Sequence, residues 1–295
     1  GLDLVGKVFI DRGDAIVVGL PTYVGGIGAF SSYGARMIGV PLDGEGMRMD
    51  ALETELERCK DKCEKPKFIY VVPDFQNPAG ITMTETRRMK LIELARRYDV
   101  LILEDSPYKE LRFEGESEKS LYSLDGEGQV IGLHTFSKIL FPGMRLGWVI
   151  ADEAIIQKLV IAKQSTDLCT PPFTQAIVAE FAARGLLDNV IETVKDMYRE
   201  KRDLMLKSLE EYMPKLDGLT WTHPEGGLFL WVTLPEQMNT EDMFYEAIEN
   251  NVAFVVGTAF HCDGGGHNAM RLNFSYATKE ETVEGIERLG TVVGK

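Results

Sequence analysis

Short apolar runs alternate with longer amphipathic stretches through the first half of the chain. Two of these runs, at residues 67–72 and 100–104, are almost continuously apolar, which is typical of strands buried on both faces of a sheet. Between them, residues 84–98 repeat apolar side chains at helical spacing, with Thr84 as a suitable N-cap. The apolar side of this helix is predicted to hold Met89, Leu91, Ile92, Leu94 and Ala95.

The same alternation continues on both sides of this central part. It predicts strands at residues 15–19, 36–40, 129–135 and 145–150, and helices at 22–32 and 50–60. Asp50 is the predicted N-cap of the second helix. Strand–helix alternation of this kind predicts an α/β fold with a mostly parallel sheet, in which ligands bind at the carboxyl ends of the strands.

The second half of the chain has a different pattern. Residues 153–213 are predicted to be helical almost throughout, with breaks at 170–172 and near Gly185. Beyond Pro214, four strands and two helices are predicted, the strands at 219–222, 227–234, 253–256 and 270–275 and the helices at 240–250 and 279–292. We therefore predict a large domain over residues 1–200 and a small α+β domain over residues 201–295.

Composition narrows the classes of function. The formal net charge of the 295 residues is −14, which argues against nucleic acid as a partner, because binding to phosphates requires a basic surface. No apolar run approaches the roughly 18 residues of a membrane span, and no signal peptide is visible. The sequence has four cysteines, and two of them, Cys59 and Cys63, are placed on one predicted helix in neither a zinc-binding nor a disulfide pattern. We expect a cytoplasmic protein.

Three polar residues indicate chemistry at the predicted strand ends. Lys138 lies between the apolar residues 130–133 and 139–141, which is an unusual setting for a solvated charge. Asp105 closes the strand at 100–104, and Asn77 follows the strand at 67–72. Each has an ordinary alternative, a surface loop for Lys138 and a turn residue for Asp105 and Asn77.

Five short motifs occur in a fixed order across the chain: P-T-Y (21–23), N-P-A-G (77–80), E-D-S-P-Y (104–108), T-F-S-K-x6-R-L-G (135–147) and R-L-N-F-S (271–275). In these motifs the chain resembles the class I/II aminotransferases, which are fold-type I enzymes dependent on pyridoxal 5'-phosphate. It is most similar to the branch that contains 2-aminoadipate aminotransferases and the aminotransferase-like domains of certain bacterial regulators. The resemblance implies a large α/β/α domain with a mostly parallel mixed sheet, a small C-terminal domain and a homodimer.

The resemblance also implies a role for each matching residue. Lys138 would be the catalytic residue, bound to the cofactor as an imine and later moving the substrate proton. Asn77 and Arg271 would bind the substrate carboxylate. The residues implied in cofactor binding are Tyr23 on the ring face, Asp105 at the ring nitrogen, Asn77 and Tyr108 at the ring oxygen, and Thr135, Ser137 and Arg145 at the phosphate, together with Lys138. No metal is implied.

The expected reaction moves the amino group of an L-amino acid to a 2-oxo acid, with 2-oxoglutarate as the expected acceptor. Two alternatives remain, an effector domain of a transcription regulator and a lyase that uses the same cofactor. Family members have a further segment before the position of Gly1 that contributes to phosphate and substrate binding, and we expect this chain to lack it.

Signals for other kinds of site are weaker. The G-x-G at 26–28 lacks the third glycine of a dinucleotide-binding motif, and the His- and Cys-containing stretch at 261–267 is predicted to be a glycine-rich loop and not a metal site.

Overall fold

A computed structural model describes residues 1–295. Its main sheet has seven strands: β1 (Ala15–Leu20), β2 (Arg36–Asp43), β3 (Gly46–Met47), β4 (Phe68–Val71), β5 (Leu101–Asp105), β6 (Val130–Thr135) and β7 (Gly147–Ile150). The strand order is β3-β2-β1-β4-β5-β6-β7, and pairing is parallel except at the two edges, where β3 and β7 are antiparallel to their neighbours. The mostly parallel mixed sheet predicted above is confirmed.

Ten helices accompany the strands: α1 (Leu2–Phe9), α2 (Val24–Ser32), α3 (Met49–Asp61), α4 (Glu85–Arg97), α5 (Leu121–Asp125), α6 (Glu153–Asp167), α7 (Pro172–Ala183), α8 (Leu186–Tyr212), α9 (Thr240–Glu249) and α10 (Lys279–Val293). The predicted breaks at 170–172 and near Gly185 separate α6, α7 and α8. None of the helices combines the length and the apolar character needed to cross a lipid bilayer.

A second, antiparallel sheet follows α8. It consists of β8 (Thr220–Trp221), β9 (Phe229–Thr233), β10 (Val255–Val256) and β11 (Ala269–Asn273), in the order β10-β11-β9-β8. Helix α8 packs against α10, which ends the chain. The predicted boundary between residues 200 and 201 lies within α8, so this helix belongs to both of the predicted parts.

Every residue of β1 and β4 is buried, because both faces of the main sheet are covered. Ile16 and Val18 of β1 belong to one hydrophobic cluster, whereas Ala15 and Val17 belong to another on the opposite face. Each fully buried Ile or Val side chain contributes about 1.5–3 kcal/mol relative to an exposed one. The first cluster continues into the second sheet through residues such as Leu230, which ties the two sheets together.

Three local predictions are wrong. Helix α3 begins one residue before Asp50, with Arg48 in the N-cap position, and Asp50 instead accepts hydrogen bonds from the Arg48 guanidinium. Cys63 lies beyond the end of α3 in the left-handed region, so it does not share the helix with Cys59. Met89 is 50% exposed, because it lies on the outer side of α4, while the other four residues predicted for the apolar side are buried. The Thr84 cap is confirmed, since its side chain accepts a hydrogen bond from the Arg87 amide.

Candidate active site

Four adjacent parallel strands of the main sheet end at one edge. The segments after β1, β4, β5 and β6 carry Tyr23, Asn77, Tyr108 and Lys138, and Asp105 is the last residue of β5. Their strands are neighbours in the order β1-β4-β5-β6, so residues far apart in sequence leave the sheet side by side. This arrangement gives the molecule the strand-end site typical of parallel α/β sheets.

Asp105 is the acidic group of this edge. Its Oδ2 atom accepts a hydrogen bond from the Tyr70 hydroxyl at 2.8 Å. Burial raises the pKa of the Asp105 carboxyl to about 6, and the Tyr70 bond acts in the opposite direction. A carboxylate held in this way is suited to pair with a cationic N–H donor.

Asn77, Tyr108 and Arg271 form a chain of hydrogen bonds beside it. Arg271, on β11 of the second sheet, donates from Nη1 to Asn77 Oδ1 at 3.0 Å, and Asn77 donates from Nδ2 to the Tyr108 hydroxyl at 3.3 Å. Tyr108 and Asn77 are both buried, and burial raises the pKa of the Tyr108 phenol. The Tyr108 hydroxyl therefore remains protonated and can donate to a ligand oxygen.

Arg271 is a half-buried cation placed over two aromatic rings. Its guanidinium carbon lies 4.2 Å from the ring centre of Phe229 and 5.1 Å from that of Phe260. Its buried Nε atom has no hydrogen-bond partner, and burial lowers the pKa of the guanidinium. An unpartnered buried donor is rare in proteins, and here it indicates a place for an anionic ligand.

The residues that follow β4 form a completely buried loop, residues 72–80. Gln76 donates from Nε2 to the Pro21 carbonyl at 2.7 Å, and its Oε1 accepts from the Ala79 amide at 2.8 Å. Asp74 forms a buried ion pair with Arg88 of α4 at 2.8 Å. These contacts fix the loop that carries Asn77 and join it to the segment that carries Tyr23.

The segment 134–148, in contrast, has a single buried residue, Ile139. Burial lowers the pKa of the Lys138 amine, and so does the proximity of the Arg145 and Arg271 cations. The Ser137 amide donates to Thr135 Oγ1 at 3.1 Å, and the two hydroxyl oxygens are 2.9 Å apart. The segment thus brings an amine, two hydroxyls and an arginine to one place.

Arg145 itself has an uncommon backbone. Its φ is 51°, in the left-handed region, and its Nη1 donates to the Pro142 carbonyl at 3.0 Å. The side chain is exposed, so Arg145 contributes a cation at the rim of the site.

Tyr23 precedes α2 and turns its ring over the first turn of the helix. A Cβ at Gly25 would lie 2.4 Å from the Cζ atom of Tyr23, so only glycine leaves room for this ring. The Thr22 amide, next to Tyr23, donates to the Phe260 carbonyl at 2.8 Å. Phe260 therefore contacts Arg271 with its ring and holds the Tyr23 segment with its backbone.

Comparison with known proteins identifies the family of the chain. Residues 2–289 match the model of the family "Aminotransferase class I and II". The chain is 49% identical to aromatic-amino-acid aminotransferase 1 of Thermococcus litoralis, over 99% of this chain and 70% of that protein. The chain belongs to the class I and II aminotransferase family. It is an aminotransferase dependent on pyridoxal phosphate.

Two solved structures show the same fold. Kynurenine aminotransferase from Pyrococcus horikoshii, solved with PMP, has a TM-score of 0.97 and 48% identity, covering 99% of this chain and 72% of that one. The α-aminoadipate aminotransferase LysN from Thermus thermophilus, complexed with N-(5'-phosphopyridoxyl)-L-leucine, has a TM-score of 0.93 and 40% identity, covering 99% and 74%. The fold-type I architecture predicted from the motifs is thereby confirmed.

The donor set of the aminotransferase fits its cofactor. Pyridoxal phosphate carries a basic ring nitrogen, a ring oxygen, an aldehyde and a phosphate. Asp105 matches the nitrogen, the Tyr108 and Asn77 donors match the oxygen, and the Lys138 amine matches the aldehyde. The unpartnered Nε atom of Arg271 matches an amino-acid carboxylate.

Sequence reasoning missed two residues of this site. The apolar pattern of residues 67–72 does not distinguish Tyr70 from its neighbours, although a buried phenol must place its hydroxyl against a partner. Gln76 lies just before the motif at 77–80 and matches no motif itself, although its amide joins the Pro21 carbonyl to the Ala79 amide. For both, a polar group next to a buried strand was the available signal.

Proposed function

We propose that this aminotransferase transfers the amino group of an L-amino acid held by Arg271, with 2-oxoglutarate as the acceptor. The unpartnered Nε atom of Arg271, in a cation that also bonds Asn77, is the observation on which this proposal rests. Arginine binds carboxylates through two parallel N–H donors, and both reactants carry a carboxylate next to the reacting carbon. One arginine can therefore serve both halves of the reaction.

The cofactor roles that we propose follow from the position of each donor. Asp105 binds the ring nitrogen, Tyr108 and Asn77 donate to the ring oxygen, and Tyr23 covers one face of the ring. Thr135, Ser137 and Arg145 bind the phosphate, because hydroxyls and a guanidinium are strong donors to phosphate oxygens. Tyr70 donates to Asp105 and Arg271 donates to Asn77, which supports the positions proposed for Asp105 and Asn77.

Lys138 is the proposed catalytic residue. Pyridoxal phosphate, when bound, supplies a ring that accepts the electrons left on the substrate α-carbon. Burial and the neighbouring Arg145 and Arg271 cations lower the pKa of the Lys138 amine, so more of it is neutral at a given pH. A neutral Nζ can take the α-proton, whereas an ammonium cannot, which makes Lys138 the general base.

For the donor, we propose a broad range in which aromatic amino acids exceed 2-aminoadipate. The support is the identity of 49% and 48% to relatives named for aromatic amino acids and kynurenine, against 40% to the one named for α-aminoadipate. A panel of L-amino acids with 2-oxoglutarate tests this order through formation of glutamate. Release of ammonia or carbon dioxide in place of glutamate would show a lyase instead.

We also propose a homodimer. Large apolar side chains are exposed along α6, α7 and the turn between them, where Leu168 is 77% and Phe173 is 76% exposed. Helix α7 buries only Val178 within this chain, so a second copy is the partner that we expect to cover this face. Light scattering should give twice the 33.0 kDa of one chain. Leu168→Asp should shift the mass towards the monomer, whereas Tyr276→Asp, at an exposed residue outside this face, should not.

Three broader proposals follow from composition and layout. All four cysteines are free thiols, and this supports a cytoplasmic location, as a reducing compartment keeps thiols unpaired. The net charge of −14 supports small molecules, and not nucleic acid, as partners. We retain residues 1–200 and 201–295 as the proposed domains, and limited proteolysis within α8 is the test of that boundary.

A further inference from the structure

Tyr70 is a buried phenol within an otherwise apolar strand. It is 1% exposed, and its neighbours along β4 are Ile69 and Val71. Its hydroxyl donates to Asp105 Oδ2 at 2.8 Å. Because Tyr70 pairs with Leu103 in the adjacent strand β5, the sheet itself sets the distance between the phenol and the carboxylate.

The ring of Tyr70 is held on its other sides by α2. Phe30 meets it edge-on, with ring centres 5.3 Å apart and planes at 75°. A Cβ at Gly26 would lie 3.0 Å from the Tyr70 ring, so this helix approaches the ring as closely as glycine permits. The hydroxyl is consequently held at Asp105 by the sheet on one side and by packing against α2.

We propose that Tyr70 is a positioning residue that orients and charges the Asp105 carboxylate for the ring nitrogen of the cofactor. This inference rests on the function proposed above, in which Asp105 binds that nitrogen. A hydrogen-bond donor favours the ionised form of a buried carboxyl group, which burial alone disfavours. The bond also occupies Oδ2, so the orientation of the other oxygen is fixed as well.

Tyr70→Phe removes the hydroxyl and keeps the ring, so it tests this role directly. The affinity of the cofactor-free protein is measured for pyridoxal 5'-phosphate and for its 1-deaza analogue, in which carbon replaces the ring nitrogen. We expect Tyr70→Phe to weaken binding of pyridoxal phosphate about tenfold, since it deletes one bond to a charged group, and to change the affinity for the analogue less than about twofold.

Tyr108→Phe is the matched control. Tyr108 is proposed to contact the ring oxygen, which both ligands share, so this variant should weaken binding of both to a similar extent. A second measurement uses Asp105→Asn protein, in which adding Tyr70→Phe should cause no further selective loss for pyridoxal phosphate. Thermal unfolding of each cofactor-free variant shows whether it is folded.

Equal weakening of both ligands by Tyr70→Phe would mean that Tyr70 only supports the fold, and this would overturn the inference. Unchanged affinity for pyridoxal phosphate would overturn it too. If the unmodified protein bound neither ligand, the proposed function itself would fail, and the inference with it.

Discussion

The loop 72–80 and the segment 134–148 both supply proposed site residues, yet they are built in opposite ways. Every residue of the loop is buried, whereas Ile139 is the only buried residue of the segment. The polar side chains of the loop, such as Asp74, Gln76 and Asn77, have partners in the protein. In the segment, the charged neighbours of Lys138 are two further cations, Arg145 and Arg271.

We interpret this difference as a division between a part that fixes the geometry of the site and a part that carries its reactive groups. The loop fixes geometry, because its hydrogen bonds and its ion pair are completed within the chain and are costly to break in a buried place. The segment carries the proposed reactive and anion-binding groups, and the charged neighbours of Lys138 are the like-charged Arg145 and Arg271. Substitutions in the loop should therefore impair stability, whereas substitutions in the segment should impair chemistry.

Lys138→Ala should give the largest effect on the reaction. Removing the proposed general base should reduce turnover about 10³-fold, within the range for such groups. The unfolding temperature of the cofactor-free protein should not fall, because a partly buried amine near two arginines adds no stability. Steady-state kinetics and thermal unfolding measure the two quantities. Lys60→Ala, on the exposed side of α3, should leave both unchanged.

Arg88→Met tests the other side of the comparison. Arg88 is fully buried and donates to Asp74 and to the carbonyl groups of Met83 and Lys119. Leaving Asp74 buried without its partner should lower the free energy of unfolding by about 3–5 kcal/mol. Arg97→Met, at the end of the same helix, removes only exposed ion pairs, those with Glu53 and Glu93, and should lower it by about 1 kcal/mol. If urea unfolding showed equal losses of unfolding free energy for the two variants, the buried ion pair would not be the reason for the stability of the loop.

Arg271→Lys tests the proposed binding of the substrate carboxylate. Arg271 lies on β11 of the second sheet and contacts Asn77 of the loop 72–80. Lysine keeps the charge but loses the forked donor and the bond to Asn77. We expect kcat/KM for amino donors to fall about 10- to 100-fold, as for loss of a hydrogen bond to a charged group. The affinity for pyridoxal phosphate should remain within about twofold. An equal loss of cofactor affinity would place Arg271 at the cofactor and not at the substrate.

Asp105→Asn should produce the smallest effect, on the stability of the cofactor-free protein. Burial raises the pKa of Asp105 from 3.8 to about 6, so the folded protein holds this proton more tightly than the unfolded chain. Stability therefore falls as the pH rises from about 4 to 6, and the loss is complete above that window. At pH 8 the asparagine variant should be more stable by about 2 kcal/mol, allowing for the part of Asp105 that water reaches.

The pH dependence is the control for this prediction. At pH 4 the advantage of Asp105→Asn should disappear, because the native carboxyl is then protonated in the folded protein. Urea unfolding at both pH values measures the difference. An asparagine variant that is less stable at pH 8 would show that the charge of Asp105 is compensated within the chain.

The sequence predicted the central strands well, because buried parallel strands are marked by apolar runs. Strands β4 and β5 begin and end within one residue of the predicted bounds, and the predicted cap at Thr84 is confirmed. Parallel order also predicts that Asp105 and the loop that carries Asn77 lie at the same edge of the sheet, as they do. The roles of these residues in catalysis remain predictions.

Tertiary contacts explain what the sequence did not show. Arg87 and Arg88 are adjacent in one helix with a regular apolar pattern, yet Arg87 reaches surface carboxylates and Arg88 is fully buried. The partners of Arg88 come from residues 73–74, 83 and 119, which no local pattern connects. Tyr70 is similar, because its partner lies on a neighbouring strand.

The most direct test of the account is to locate the amine that binds the cofactor. The protein is incubated with pyridoxal phosphate, reduced with sodium borohydride, digested and analysed by mass spectrometry. We expect a single phosphopyridoxyl adduct, on the peptide that contains Lys138. An adduct on another lysine, in protein that turns over amino acids, would contradict it.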